Sequence, residues 1–250
     1  MIRAIFVVIF VLLFLILGIP VLGIEWIIRK FNRHAADLSS LRIVQWAFRV
    51  ILFLCGTKLT LLGEENVPKD QPVLYIGNHR SYFDVIITYS RCPGLTGYIA
   101  KDNMAKVPLL STWMRRLYCL FLNREDMRKG LKTILQAIDQ VKKGISICIF
   151  PEGTRNRTKE EMLPFHAGSF KIAEKTGCPI IPMAITNSAE IWEAHFPSIR
   201  SAHVTIQYGE PIVFSKLSKE DQKHLSDYVQ NQIHLMLTKN TAHSDDAKTL

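Results

Sequence analysis

The stretch VLYIGNHRSYFDVI, from Val73 to Ile86, changes character twice along its length. An apolar run stops at Gly77. Asn78, His79, Arg80 and Ser81 follow, then two aromatics, Asp84 and more apolar residues. The first part has the composition of a buried strand ended by glycine, and the last reads as a helix over 81–90. Between them lies a strand-to-helix turn, the kind of sheet edge where α/β proteins build their sites. A histidine and an aspartate five residues apart, with a serine between them, suggest a charge-relay arrangement and raise the question of which atom attacks.

Outward from this unit the same alternation continues. Residues 72–76, 97–100, 145–150, 179–186 and 202–208 read as strands. Residues 108–119, 127–143, 167–175 and 219–237 read as helices, with 81–90. ISICIF, Ile145 to Phe150, is apolar on both faces, as in a sheet covered on both sides. The expected fold is therefore α/β: a single domain over 59–237 with a mostly parallel sheet covered by helices. It is preceded by a membrane-embedded helical region over 1–58 and followed by a polar tail over 238–250. No internal repeat is visible.

The 250 residues carry a net charge of +9, which implies an anionic partner such as a phospholipid surface, a phosphorylated substrate or nucleic acid. No nucleic-acid-binding module is recognisable, so that class is set aside. From Ala4 to Ile24 no side chain is charged or strongly polar, long enough as a helix to match about 30 Å of bilayer hydrocarbon. A signal peptide has a shorter apolar core and a small-residue cleavage site, whereas Glu25-Trp26-Ile27-Ile28-Arg29 follows here. A membrane anchor is the better reading. Gly18, Pro20 and Gly23 in its last third predict a bend near Pro20, and basic residues at both ends predict that both face the cytosol. The next segment, Leu41 to Leu54, sets Arg42, Gln45 and Arg49 against Trp46, Val50 and Phe53. This is a basic amphipathic helix for the membrane interface, or alternatively a core helix with a solvated stripe. The expected location is membrane-associated, with the active site facing the cytosol. The five cysteines include no C-x-x-C pair and sit mostly among apolar residues, as packed reduced thiols do.

With His79 in the turn and Asp84 in the first helical turns, the carboxylate can reach back to the imidazole. It would fix the proton on Nδ1 and leave Nε2 as a base. The plain alternative is a capped helix, with Ser81 or Asn78 as N-cap. Ser81 lacks a nucleophile-elbow setting and lies only two residues from the proposed base, so it is expected to cap rather than attack. A second cluster, Pro151-Glu152-Gly153-Thr154-Arg155, also follows a buried strand. A glutamate and an arginine on such a turn can hold a phosphate or hydroxyl, or can form a surface ion pair.

Together and in this order the two clusters are specific. NHRSYFD matches the N-H-x4-D block and FPEGTR the F-P-E-G-T-R block of the glycerophospholipid acyltransferases, and the chain resembles their 1-acylglycerol-3-phosphate acyltransferase branch. AKDNMAKVPLLSTWMRRLYCLFLNRED and CPIIPMAI resemble the blocks between and after them, so the likeness runs from about Leu61 to Phe214. It implies transfer of a fatty acyl group from acyl-CoA or acyl-carrier protein to the free hydroxyl of lysophosphatidic acid, giving phosphatidic acid. The lysophospholipid's own oxygen would be the nucleophile. Glycerol 3-phosphate or another lysophospholipid is the alternative acceptor. His79 would be the general base and Asp84 its orienter. Arg124 and Arg155, with Lys101, would bind the phosphate, and Glu152, Gly153 and Thr154 would shape the acceptor site. No metal or cofactor is expected, and no H-E-x-x-H zinc pattern occurs. One departure is visible: where the family often has a lysine after the third block, this chain has His166, with Lys171 close by.

Overall fold

The computed structural model describes residues 1–246. Strand β2 (Leu74–Gly77) is buried along its whole length because its side chains alternate between two apolar layers. Leu74 and Ile76 face one layer and Tyr75 the other. It pairs in parallel with β5 (Ser146–Ile149) on one side and β6 (Ile180–Thr186) on the other. The sheet continues through β3 (Thr96–Lys101) to β4 (Leu120–Leu122), and through β7 (His203–Tyr208) to β1 (Lys58–Leu62). The order is β1-β7-β6-β2-β5-β3-β4, and every pairing is parallel except β6 with β7.

All five expected strands are present, in an α/β domain with a mostly parallel sheet. The two strands not anticipated, β1 and β4, are the sheet's edges. KLTLL carries a lysine and a threonine, and LFL is three residues long, so neither has the apolar run of a strand buried on both faces.

On one face lie α2 (Arg33–Cys55), α3 (Phe83–Tyr89) and α4 (Leu110–Arg116), which share a core with Tyr75, Cys148, Ile181 and Met183. On the other lie α5 (Met127–Lys142), α6 (Lys171–Thr176) and α8 (Leu225–Asp246), packed on Leu74, Ile147 and Ile180. The last expected helix is divided: α7 (Lys219–Lys223) ends at His224. Helix α8 then runs past Leu237 to Asp246, into the segment expected as a polar tail, and residues 247–250 lie outside the described residues. All five cysteines are free, four of them buried.

The N-terminal region is a helical hairpin. Helix α1 (Ile2–Phe31) is one 30-residue helix, about 45 Å long. It continues as helix through Pro20, the position of the expected bend. The hairpin turns at Asn32, whose side chain accepts the Ala35 N–H and caps α2.

Helix α1 lies against the body along its length. At its start, a Cβ placed on Gly56 would come within 3.2 Å of the Arg3 guanidinium and 3.3 Å of Ser201. In its middle, Gly18 admits the Trp113 ring of α4: a Cβ there would stand 3.1 Å from the indole nitrogen. Phe14 packs on the same ring at 5.4 Å. Near its end the buried Glu25 meets Arg116, which also donates to the Glu25 carbonyl at 2.9 Å and to Ser40 Oγ at 3.1 Å. The opposite face leaves Ile5, Ile9, Leu12, Ile16 and Ile19 exposed.

Helix α2 departs from expectation at Gln45. That side chain is buried, donates to the carbonyls of Tyr89 and Cys92, and accepts from Arg42. Arg42, Trp46, Arg49 and Phe53 form the exposed face instead. Both helices are long and apolar enough to enter a membrane, and they suggest membrane association.

The Glu25–Arg116 pair fixes the hairpin to the body. Glu25→Ala takes the nearer carboxylate from a buried guanidinium and leaves it Asp37 at 3.9 Å, and the expected cost is about 1–3 kcal/mol in denaturant unfolding of the detergent-solubilised protein. Adding Arg116→Met to Glu25→Ala is expected to recover most of that loss; no recovery would show that the pair is not what holds the hairpin.

Candidate active site

Because β2 and β5 run parallel with Ile76 opposite Ile149, the turns that follow them leave the sheet side by side. The two motifs, about seventy residues apart, thereby become one site. Asn78 fixes the first turn to the neighbouring strand: its amide donates to the Ile185 carbonyl at 2.9 Å and accepts the Ile185 N–H at 2.8 Å.

Asp84, fully buried in the first turn of α3, turns one oxygen back to the loop. Oδ2 accepts from His79 Nδ1, from the Arg80 N–H and from the Ser81 N–H, each at 2.8 Å. A carboxylate only accepts, so the imidazole proton sits on Nδ1 and Nε2 carries the free lone pair. The ring is held flat against Phe150, with centroids 4.4 Å apart and planes 16° from parallel. Its side chain remains 17% exposed, enough for one edge to meet a substrate.

The second turn grips the backbone of the first. The His79 N–H donates to Glu152 Oε1 at 2.6 Å, and the His79 carbonyl accepts the Asn156 N–H at 2.7 Å. Glu152 Oε2 accepts the Leu163 N–H at 2.8 Å, so both carboxylate oxygens are occupied by backbone. Burial raises the Glu152 pKa, against the two N–H groups that lower it. Glu152 thus acts on the site from behind, through the backbone, where a direct part in the acceptor pocket was expected.

Gly153 has φ +72°, and a Cβ there would lie 3.0 Å from the His166 ring and 4.0 Å from the Arg124 guanidinium carbon. His166 and Arg124 therefore meet at this turn. Desolvation lowers the Arg124 pKa, opposed by the nearby Asp102. Lys101 ends β3 and Arg124 follows β4, strands whose parallel register brings both to the same edge of the sheet. Lys101 and Thr154 are exposed. Lys171 pairs with Glu174 at 2.6 Å on its own helix.

Ser81 is buried and committed. Its hydroxyl donates to Glu193 Oε2 at 2.6 Å and accepts the Phe83 N–H at 3.0 Å. The formal N-cap of α3 is Tyr82, which makes no side-chain cap, so Ser81 supports the helix start from one residue further back than a cap would. Glu193 was not foreseen. It also accepts the Tyr82 N–H at 2.8 Å and pairs with Arg155 at 3.1 Å, while the Arg155 guanidinium lies 3.5 Å from the centre of the Tyr82 ring. Arg155 thus enters the site already oriented, with further donors left over. Arg80, Arg155, Asn187 and Glu193 line a cleft of about 790 Å³ beside the turn. Arg80 donates to the carbonyls of Thr158 and Glu160 and so closes the loop beyond.

Ser81→Ala is expected to lower stability by about 1.5–3 kcal/mol, the usual worth of a hydrogen bond to a charged group, and to leave most catalytic turnover intact. Denaturant melts and initial rates on the same preparation check this; an acylated Ser81 in mass spectra would overturn it.

The family model for Acyltransferase matches residues 58–186. A protein of Borreliella burgdorferi named 1-acyl-sn-glycerol-3-phosphate acyltransferase is 31% identical over 188 residues, 74% of each chain. A protein of the same name from Haemophilus influenzae is 28% identical over 95% of each chain. The crystal structure of the 1-acyl-sn-glycerophosphate (LPA) acyltransferase PlsC from Thermotoga maritima has the same fold, with TM-score 0.83, 23% identity, and coverage of 96% of this chain and 95% of that one. With its sequence matched across both turns and its fold matched over nearly its full length, the chain belongs to the acyltransferase family.

Proposed function

We propose that the protein is a 1-acylglycerol-3-phosphate O-acyltransferase that makes phosphatidic acid. It transfers a fatty acyl group to the sn-2 hydroxyl of lysophosphatidic acid from a thioester of coenzyme A or of acyl-carrier protein. The observation that carries this reading is the 2.8 Å contact of His79 Nδ1 with a buried Asp84, which leaves Nε2 as an unpaired base beside a cationic edge. The names of the relatives support the acceptor.

Nε2 takes the proton of the lipid hydroxyl as its oxygen attacks the thioester carbonyl. Asp84 stabilises the imidazolium, as a buried carboxylate does in a catalytic triad. When the tetrahedral adduct collapses, the new C–O bond stays, the C–S bond breaks, and the proton passes from Nε2 to the departing sulfur. The nucleophile is the substrate's own oxygen; Ser81, with its hydroxyl bound to Glu193, has no part in it. Arg155 and Arg124, with Lys101, meet the acceptor phosphate. The guanidinium fork suits phosphate oxygens, and Glu193 fixes one orientation of Arg155 in advance. Helix α1, applied to the body from Arg3 to Glu25, supports an enzyme seated on one face of the membrane, with both helix ends and the active site on the cytosolic side.

His79→Ala is expected to reduce acyl transfer by about 10²–10⁴, the usual loss with a positioned base, with circular dichroism unchanged. Asp84→Asn should come close to it, because an amide can present the wrong partner to Nδ1. A folded His79→Ala enzyme with near-normal turnover sinks the mechanism.

Arg124→Ala and Arg155→Ala should each raise the acceptor KM by about 10- to 100-fold, the worth of a hydrogen bond to a charged group, with a smaller effect on the donor. The same assay with glycerol 3-phosphate and head-group-altered lysophospholipids tests the acceptor. Faster turnover of one of those, or an unmoved acceptor KM in both variants, would overturn the assignment.

A further inference from the structure

The segment after β6 carries an aromatic cluster that the mechanism does not use. Trp192 lies between Tyr82 and Phe196, tilted against both, with ring centroids 5.8 Å and 5.6 Å away. Two of these rings face outward: Phe196 is 72% exposed and Tyr82 49%. Exposed aromatics side by side at the rim of a cleft are costly in water unless something covers them.

The chain leads from the cluster to the start of α1. Met1, Ile2 and Arg3 lie against Ile199, Arg200 and Ser201 across a shallow crevice. Phe196 is three residues before Ile199, a reach of at most about 11 Å. Met1 and Ile2 are 73% and 70% exposed, so the start of α1 offers apolar surface near Phe196. Its flanks are cationic: Arg3 and Arg200 are exposed, and the acidic Glu190 is paired with His195 at 3.1 Å. Apolar rings beside arginines fit the headgroup region of an anionic bilayer, where an aromatic body is buried and cations meet phosphates.

We propose that the 192–200 segment is a second membrane contact, beside the start of the helical hairpin, which seats the rim of the active site in the headgroup layer. Phe196 inserts, Trp192 backs it, and Arg200 and Arg3 face lipid phosphates. Tyr82, with Arg155 against its ring, then stands at the depth of a lysophospholipid's phosphate. A lipid acceptor enters the cleft sideways from the leaflet without leaving it. The proposal rests on the acceptor being a membrane lipid.

The test uses the full chain with Phe196→Cys carrying an environment-sensitive fluorophore. Burial pushes the thiols of Cys92 and Cys119 up to about 11, and those of Cys55, Cys148 and Cys178 are raised as well, so labelling at neutral pH goes to the new cysteine. On vesicles of phosphatidylcholine and phosphatidylglycerol the label should shift to the blue and be quenched by shallow spin-labelled lipid. The same label at Lys132→Cys, on the exposed side of α5 across the sheet, should not respond. A water-like spectrum at position 196 on vesicles overturns the proposal.

The second measurement is Phe196→Asp turnover. It should fall about tenfold on vesicle-borne acceptor, the order expected when one aromatic's apolar surface is kept from lipid. Turnover of a short-chain, monomeric acceptor should be unchanged. An equal fall on both acceptors would place Phe196 in the substrate pocket or the fold and would also overturn the proposal. The label readout needs no turnover. A quenched label on an enzyme that fails to acylate lysophosphatidic acid would therefore sink the acceptor assignment and leave the membrane contact standing.

Discussion

The parallel pairing of β2 with β5 is the constraint from which the site follows. Parallel neighbours end at the same edge, and the residues just beyond them have nowhere to go but alongside each other. Glu152 turns this proximity into geometry. Its carboxylate accepts from the backbone at His79 and again at Leu163, joining the end of β2, the turn after β5 and the loop beyond it. A buried carboxylate so engaged costs desolvation and is tolerable only when both oxygens are satisfied, as they are here. His79 is held from four directions: Asp84 on the ring nitrogen, Phe150 on the ring face, Glu152 on the N–H and the Asn156 N–H on the carbonyl. Little conformational freedom remains to the imidazole, which is the preorganisation that the proposed role as a base requires.

Charge at the mouth is organised around Glu193. An arginine facing water samples many rotamers, whereas Arg155 is flattened on Tyr82 and tied to a carboxylate that also takes the Ser81 hydroxyl and the Tyr82 N–H. The turn bearing His79 and the turn bearing Arg155 therefore share one acceptor. Disturbing either reaches the other through two hydrogen bonds, so effects measured at Ser81, Arg155 and Glu193 should not add.

What the sequence disclosed depended on how local each contact is. His79 and Asp84 lie within one strand-turn-helix unit, and their meeting follows from the chain's own geometry. The buried strands announced themselves by apolar runs, as did the long helix at the N-terminus. Glu193 did not, because it is 112 residues from Ser81 and its surroundings, SAEIWEAHFPS, hold no pattern that marks a carboxylate as bound to a distant turn. Gln45 misled for a related reason. Its spacing from Arg42 and Arg49 suggested one polar stripe, but an amide can satisfy two backbone carbonyls inside the protein where a guanidinium is better left in solvent. Edge strands β1 and β4 were unreadable because an edge needs only half the burial, and three or five residues are too few to set a period.

The Glu25–Arg116 contact spans 91 residues, and this has a consequence for the order in which the protein is made. At about 5–20 residues per second, the ribosome needs several seconds after finishing α1 before Arg116 exists. Trp113, which fills the notch at Gly18, arrives only three residues earlier. Throughout that interval the nascent helix has only α2 beside it, which it meets at Phe10 and Trp46, and its other sides are uncovered. The surface that will later face Trp113 and Arg116 is as hungry for cover as the apolar face that the folded protein leaves exposed. For a hairpin that associates with a membrane, the bilayer is the first environment able to shelter both surfaces, and the enzyme's body then assembles onto a helix already lodged there, displacing lipid from one of its sides.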